Sequence, residues 1–165
     1  MPELKPKYVK DSQVTMIEMV LPNDTNILNN LLGGRLMHWM DIAAAMASSK
    51  HCNAVAVTAA VDDLTFHQPI LLGNIVSLKA SVNRAFNTSM EVGVHVEVEN
   101  FETGEVKHSN SAYFTFVSID RKTGKKLTVP QIIPETEDQK LWYEQALLRR
   151  NQRIAAKQAA GSSKK

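Results

Sequence analysis

The sequence predicts an α+β domain in which one curved antiparallel β-sheet wraps around a single long central helix, with a second helix at the C-terminus. Three features predict it. An apolar stretch with helical spacing covers residues 34–51. Long segments of period two follow it over residues 55–119. Between those segments the chain has no room for the helical crossovers that parallel strands require.

Taken in order, residues 1–11 read as a flexible lead-in, 12–134 as the domain, and 135–165 as a C-terminal helix and basic tail. Val14 to Leu21 is strand-like and stops at Pro22. Pro22-Asn23-Asp24-Thr25-Asn26 is turn chemistry, because Asn and Asp accept local backbone hydrogen bonds and tolerate unusual dihedrals. A helix then starts at Gly34 or Arg35 and runs to about His51, with Leu36, Met40, Ala43 and Ala47 as its core stripe. Met37, Trp39, Ile42, Ala44, Ala45 and Met46 fill most of its other sides. A helix apolar nearly all round is buried nearly all round, and one sheet cannot cover every side. The expectation is therefore a second subunit on the uncovered side, in a symmetric dimer.

Val55, Val57, Ala59 and Val61 open the strand region. Val76-Leu78-Ala80-Val82 alternates with polar neighbours, and Met90-Val92-Val94-Val96-Val98 alternates with Glu91-Gly93-His95-Glu97-Glu99. A further strand covers Val106 to Ile119 after a turn at Glu102-Thr103-Gly104. Pro130 and Pro134 precede the last helix, Glu135 to about Ala160, and Gly161-Ser162-Ser163 ends it.

Composition narrows the class. With 165 residues, 44% hydrophobic and 22% charged, the chain fits one soluble domain. No window approaches the roughly 20 apolar residues of a membrane span, and the polar start Met1-Pro2-Glu3-Leu4-Lys5 lacks a signal-peptide apolar region. Cys52 is the only cysteine, so no intramolecular disulfide can form. These features point to a cytoplasmic protein with no membrane insertion. The net charge of +2 hides a body of −4 over residues 1–139 and a tail of +6 over residues 140–165. Arg149, Arg153 and Lys157 recur every four residues with Arg150 beside them, which reads either as a solvated helix face or as a stripe for anionic phosphate. An acidic body and the lack of an aromatic platform argue against nucleic acid.

The chemistry centres on Asp41, the only carboxylate between Leu36 and Ser49. Two turns beyond Gly34, it lies outside the reach of the helix dipole. It is either a structural acid satisfied by backbone donors or a lysine, or a base or nucleophile tuned by apolar surroundings. Gly33 and Gly34 at the helix start lend unsatisfied amides that can hold an oxyanion. One base with an oxyanion site suffices for thioester hydrolysis, because a thiol leaving group with a pKa of about 8.5 departs with little acid help. Gly-x-Ser-x-Gly, P-loop and His-Glu-x-x-His patterns are missing. The histidines His38, His51, His67, His95 and His108 have no ligand spacing, so no metal and no cofactor are expected. His38 reads as structural.

Several blocks together resemble the acyl-CoA thioesterase family with the hotdog fold, of the cytosolic acyl-CoA hydrolase type. They are Asp24-Thr25-Asn26, Leu32-Gly33-Gly34-Arg35-Leu36-Met37-x-Trp39-Met40-Asp41, Val55-Ala56-Val57, Phe66-x-x-Pro69-Ile70-x-x-Gly73, and Ala112-Tyr113-Phe114-Thr115-Phe116-Val117. The resemblance spans residues 13–120. It implies that Asp41 is catalytic together with Asn30 of the partner subunit, although Asn29 replaces a glycine often seen there and Asn74 replaces an Asp. It implies hydrolysis of fatty acyl-CoA in a homodimer, assembled as a trimer of dimers, with coenzyme A lying across the interface. Phe66 would line the acyl pocket. Arg84, Thr88 and Ser89 in the turn at 84–89, and Arg149 and Arg150, would meet the nucleotide part. A hotdog hydratase or dehydratase and a non-catalytic acyl-CoA-binding protein are the alternative readings.

Overall fold

The computed structural model describes residues 4–62 and 64–162. The elements are β1 (Lys7–Tyr8), α1 (Val9–Ser12), β2 (Val14–Met19), a 3-10 turn at Pro22–Asp24, α2 (Gly33–Cys52), β3 (Val55–Asp62), β4 (Ile75–Ala85), β5 (Ser89–Glu99), β6 (Val106–Ile119), β7 (Ile132–Ile133) and α3 (Glu137–Ser162). Five strands form one antiparallel sheet in the order β2-β4-β5-β6-β3. The expected helices and long strands stand within about two residues of their sequence-based bounds.

The inner face of the sheet carries Val76, Leu78 and Val82 of β4, Val92, Val94 and Val96 of β5, and Ala112, Phe114 and Phe116 of β6. They pack against Leu36, Met40, Ala43, Ala44 and Ala47 of α2, all buried. Alternation on β5 sends Glu91, His95 and Glu97 to the opposite face. α2 ends at Asn53, which takes the left-handed conformation (φ 51°) that asparagine tolerates. The Lys7 ammonium then donates to the last carbonyls, Lys50 O at 3.2 Å and His51 O at 2.7 Å, where a cation also favours the helix dipole.

Lys7 belongs to the stretch expected as a flexible lead-in, and from Lys7 onward that expectation fails. β1 pairs in parallel with β7, and Val9 and Ser12 are buried. The Ser12 hydroxyl accepts from Val82 N at 2.9 Å, where a bulge between Val82 and Arg84 interrupts the β4–β5 ladder. A two-residue strand and a one-turn helix carry too little periodicity to be visible before folding.

α3 lies across the outer face of the sheet, and Arg149 and Arg153 of its basic stripe are engaged by the sheet while Lys157 is exposed. Trp142 packs on His95 with ring centroids 4.9 Å apart, and Ala146 is fully buried. Arg149 grips Glu91 with Nε on Oε2 at 3.0 Å and Nη2 on Oε1 at 2.7 Å, and stacks 3.5 Å from the Tyr113 ring centre. Arg153 pairs with Asp62 of β3. Among the described residues no helix is long and apolar enough to cross a membrane.

Two predictions follow from burial. The Glu91 side chain is 2% exposed and that of Arg149 12%, so Arg149→Leu leaves a buried carboxylate without its cation. It should destabilise the fold by about 3–5 kcal/mol, and the double variant Glu91→Leu/Arg149→Leu should regain most of that loss in urea titrations. His51 is fully buried; its Nε2 donates to Pro130 O at 2.8 Å, and its Nδ1 has no partner among the described residues. Burial pushes its pKa below the ordinary value of 6.5, helped by the Lys7 charge. The unfolded chain therefore takes up the proton first, so this contribution is complete above about pH 6.5 and is lost as pH falls below it. Denaturation midpoints from pH 7.5 to 5 should decline less steeply in His51→Gln than in the parent.

Candidate active site

Between β2 and α2 the chain builds a small hairpin-like loop. Thr25 bridges Leu31, and Asn26 N donates to Asn30 O at 2.9 Å. The Asn26 Oδ1 accepts from Leu28 N at 2.9 Å and Asn30 N at 3.2 Å, an Asx turn that stiffens the tip. Asn29 sits at φ 57°, a left-handed position that asparagine fills in place of glycine. The loop docks on the following segment through Leu31 N to Ile70 O at 2.7 Å and Leu72 N to Asn29 O at 3.0 Å. Asn74 accepts from Leu71 N through its side-chain oxygen, a role an aspartate would fill equally.

A groove of about 330 Å³ opens beside this loop, lined by Asn26, Asn30, Gly33, Phe66, His67 and Ile70 among others. Phe66 leans over the helix start so closely that a Cβ on Gly33 would lie 3.1 Å from its ring. A Cβ on Gly34 would meet nothing within 4 Å. The N-cap residue is Leu32, which supplies no side-chain hydrogen bond. The first amides of α2, at Gly33 and Gly34, thus have no hydrogen-bond partner among the described residues and remain available as donors. Buried Asn110 donates through Nδ2 to Thr65 O and so anchors the segment that carries Phe66.

Asp41 lies about 12 Å further along the helix axis, eight residues at 1.5 Å each. It is half-buried rather than enclosed, on a stripe that the sheet leaves uncovered, with Met37, Ile42 and Met46 still 37–39% exposed. The Thr58 hydroxyl of β3 donates to Asp41 Oδ1 at 2.6 Å and fixes the carboxylate on that open side. His38, expected as structural, is exposed on the same stripe.

The structure brings Asn30, Gly33 and Phe66 together, with Gly34 alongside. It gathers Arg84, Ser89 and Arg150 elsewhere, around the β4–β5 turn: Arg150 Nη1 donates to Ser89 Oγ at 3.3 Å, and Arg84 Nη1 donates to Tyr143 O at 3.1 Å. Arg84 also stacks 3.9 Å from the Tyr143 ring centre, and Arg150 4.1 Å from that of Phe86. Thr88 accepts there through its carbonyl from Ser118 N at 3.0 Å. This second cluster lies at the far end of β4, a strand of 11 residues and so about 35 Å long. Arg149, expected at the nucleotide, is held by Glu91. Sequence reasoning missed Thr58, whose link to Asp41 crosses two elements, and passed over Asn26, which stands in a motif already read as a turn.

A five-stranded antiparallel sheet wrapped around a central helix, with a helix-borne carboxylate and an uncapped helix start, defines a hotdog-fold protein of the thioesterase class. Residues 28–105 match the thioesterase superfamily. An uncharacterized acyl-CoA thioester hydrolase of Bacillus subtilis is 37% identical over 147 residues, 89% of this chain and 85% of its own. The acyl-CoA hydrolase of Staphylococcus aureus, solved with butyryl coenzyme A and coenzyme A, is 33% identical, with a TM-score of 0.84 over 96% of this chain and 99% of that one. It has also been solved as alanine variants at an asparagine, at an aspartate fifteen residues later, and at a threonine seventeen residues beyond that. A hexameric acyl-CoA thioesterase is 35% identical, with a TM-score of 0.89 over 93% of this chain and 97% of that one. The chain belongs to the hotdog acyl-CoA thioesterase family.

The two glycines differ in a measurable way. Gly34→Ala should raise stability by up to about 1 kcal/mol, because alanine favours the helix and its methyl meets open space. Gly33→Ala must displace Phe66 and should lower the melting temperature instead.

Proposed function

We propose that this protein hydrolyses fatty acyl-CoA thioesters to the free acid and coenzyme A, in sites shared between two subunits of a homodimer. The observation that carries the reading is the separation of the two halves of the chemistry. Asp41, held by Thr58, faces outward on an uncovered apolar stripe, and the donors of its own chain lie about 12 Å away along the helix. A partner related by a two-fold axis supplies the missing half, its own loop and helix start facing Asp41. It also covers Met37, Ile42, Met46 and the exposed valines of β3. The hexameric relative supports assembly into a trimer of dimers.

In this mechanism Asp41 takes a proton from water as the water oxygen attacks the thioester carbonyl carbon. The amides of Gly33 and Gly34 and an asparagine Nδ2 donate to the resulting oxyanion. Collapse breaks the C–S bond, and the thiolate of coenzyme A recovers the proton from Asp41. Direct attack by Asp41, through a mixed anhydride, is the competing route. Sequence reasoning assigned the asparagine as Asn30. The spacings among the substituted residues of the Staphylococcus aureus protein join Asn26, Asp41 and Thr58 here, which favours Asn26. The geometry agrees, since the Asn26 Oδ1 is engaged in the loop and leaves its amide nitrogen to donate. Arg84, Thr88, Ser89 and Arg150 would reach coenzyme A only as the partner's contribution, and Phe66 with Ile70 would bound the acyl groove.

The test is release of free thiol from acyl-CoAs across chain lengths. Asp41→Asn, and Asn26→Asp, which keeps the loop acceptor while removing the donor, should each lose at least about 100-fold in kcat. Mixing the two after subunit exchange should restore about a quarter of parental activity, because half the dimers then carry one intact site of two. Thiol release by neither parent nor mixture sinks the hydrolase reading. Proven exchange without recovery sinks the shared site. A single turnover in labelled water puts label into Asp41 only if that residue is the nucleophile.

A further inference from the structure

Asp24 is buried, and the chemistry just described makes no use of it. Its side chain is 9% exposed and paired: Oδ1 lies 3.0 Å from Arg35 Nε in an ion pair, and Oδ2 accepts from Leu21 N at 3.0 Å. Its backbone carbonyl accepts from Leu32 N at 2.9 Å, and Leu32 O accepts in turn from Arg35 N at 3.0 Å. Leu21, Asp24, Leu32 and Arg35 thus close a ring at the base of the loop. The end of β2, the two arms of the loop and the first turn of α2 all meet there.

We propose that Asp24 and Arg35 are positioning residues for the hydrolysis of the thioester, a strut that fixes the asparagine loop against the open amides of α2. The inference rests on the thioesterase reading of this site. The strut does two separable things. It sets the distance between the Asn26 donor and the Gly33 and Gly34 amides, which stand only seven and eight residues further along but on a different element. It also neutralises a carboxylate at a helix start, where an unpaired negative charge would oppose the oxyanion that the same amides are to receive. Asp24 offers no cap to those amides. Its oxygens are turned to Arg35 and Leu21, and Leu32 holds the N-cap position without a side-chain bond.

Steady-state constants, melting temperatures and amide exchange over residues 26–34 test this in Asp24→Ala, Arg35→Leu, Arg35→Lys and Asp24→Asn/Arg35→Leu. Both Asp24→Ala and Arg35→Leu should lose about 10- to 100-fold in kcat, with KM within about threefold, as expected when a donor is misplaced by an ångström. Arg35→Lys should regain at least about tenfold over Arg35→Leu by restoring a cation to Asp24. The double variant should also exceed Arg35→Leu, because it removes the orphaned carboxylate. Loop amides should exchange at least about tenfold faster in Arg35→Leu than in the parent. Three results overturn the proposal: unchanged kcat in folded single variants, a loss that falls on KM, or a double variant no more active than Arg35→Leu. If the parent releases no thiol, it is the thioesterase reading that fails. Exchange then judges the strut alone, and unchanged loop exchange removes it.

Discussion

One sheet can cover only one side of a helix, and α2 is apolar on nearly every side. The concave face of β4, β5 and β6 takes Leu36, Met40, Ala43, Ala44 and Ala47, which leaves Met37, Ile42 and Met46 at the surface with Asp41 among them. An exposed apolar strip of that kind is costly in water and marks a contact. The same constraint explains the character of β3. It is an edge strand on which Val55, Val57 and Val61 stay partly exposed, and its exposed Thr58 reaches across to hold Asp41 of α2 on the open side. In the proposed function, chemistry and association share a face because the sheet leaves that side of α2 uncovered.

The two ends of α2 are treated in opposite ways. At the C-terminus, Asn53 closes the turn and Lys7 satisfies the last carbonyls. At the N-terminus a leucine occupies the cap position and two glycines follow it. Replacing a capping side chain by an apolar one costs about 1 kcal/mol, and glycines in a helix add to the loss. That local instability is what leaves two amides available as donors. The surrounding order comes from neighbours: the Asx turn of Asn26, the docking of the loop on residues 70–72, and the ionic ring around Asp24.

The outer face of the sheet is held by a different kind of contact. α3 presents arginines rather than leucines to it, and they meet Glu91, Asp62 and aromatic rings. Arginine suits this role because its planar fork binds a carboxylate in two places while its flat face stacks on a ring. The excess positive charge of the tail is therefore in good part structural. It ties the last helix to strands 58 to 91 residues earlier and fixes the β4–β5 turn through Arg84 and Arg150.

Read alone, the sequence determined what depends on local periodicity. The alternation from Met90 to Val98, the helical stripe from Leu36 to Ala47, the glycine pair and the lone acid at Asp41 are consequences of backbone geometry, which repeats every 2 or 3.6 residues whatever the rest of the chain does. Only the tertiary structure decided who meets whom across long stretches of chain. It converted the lead-in at Lys7 into a helix cap, paired Arg149 with Glu91, and joined Thr58 to Asp41. Among several adjacent asparagines, it left Asn26 with its acceptor engaged and its donor open. Such pairings depend on strand order and register, set by the burial of the whole sheet and not by any short window of residues.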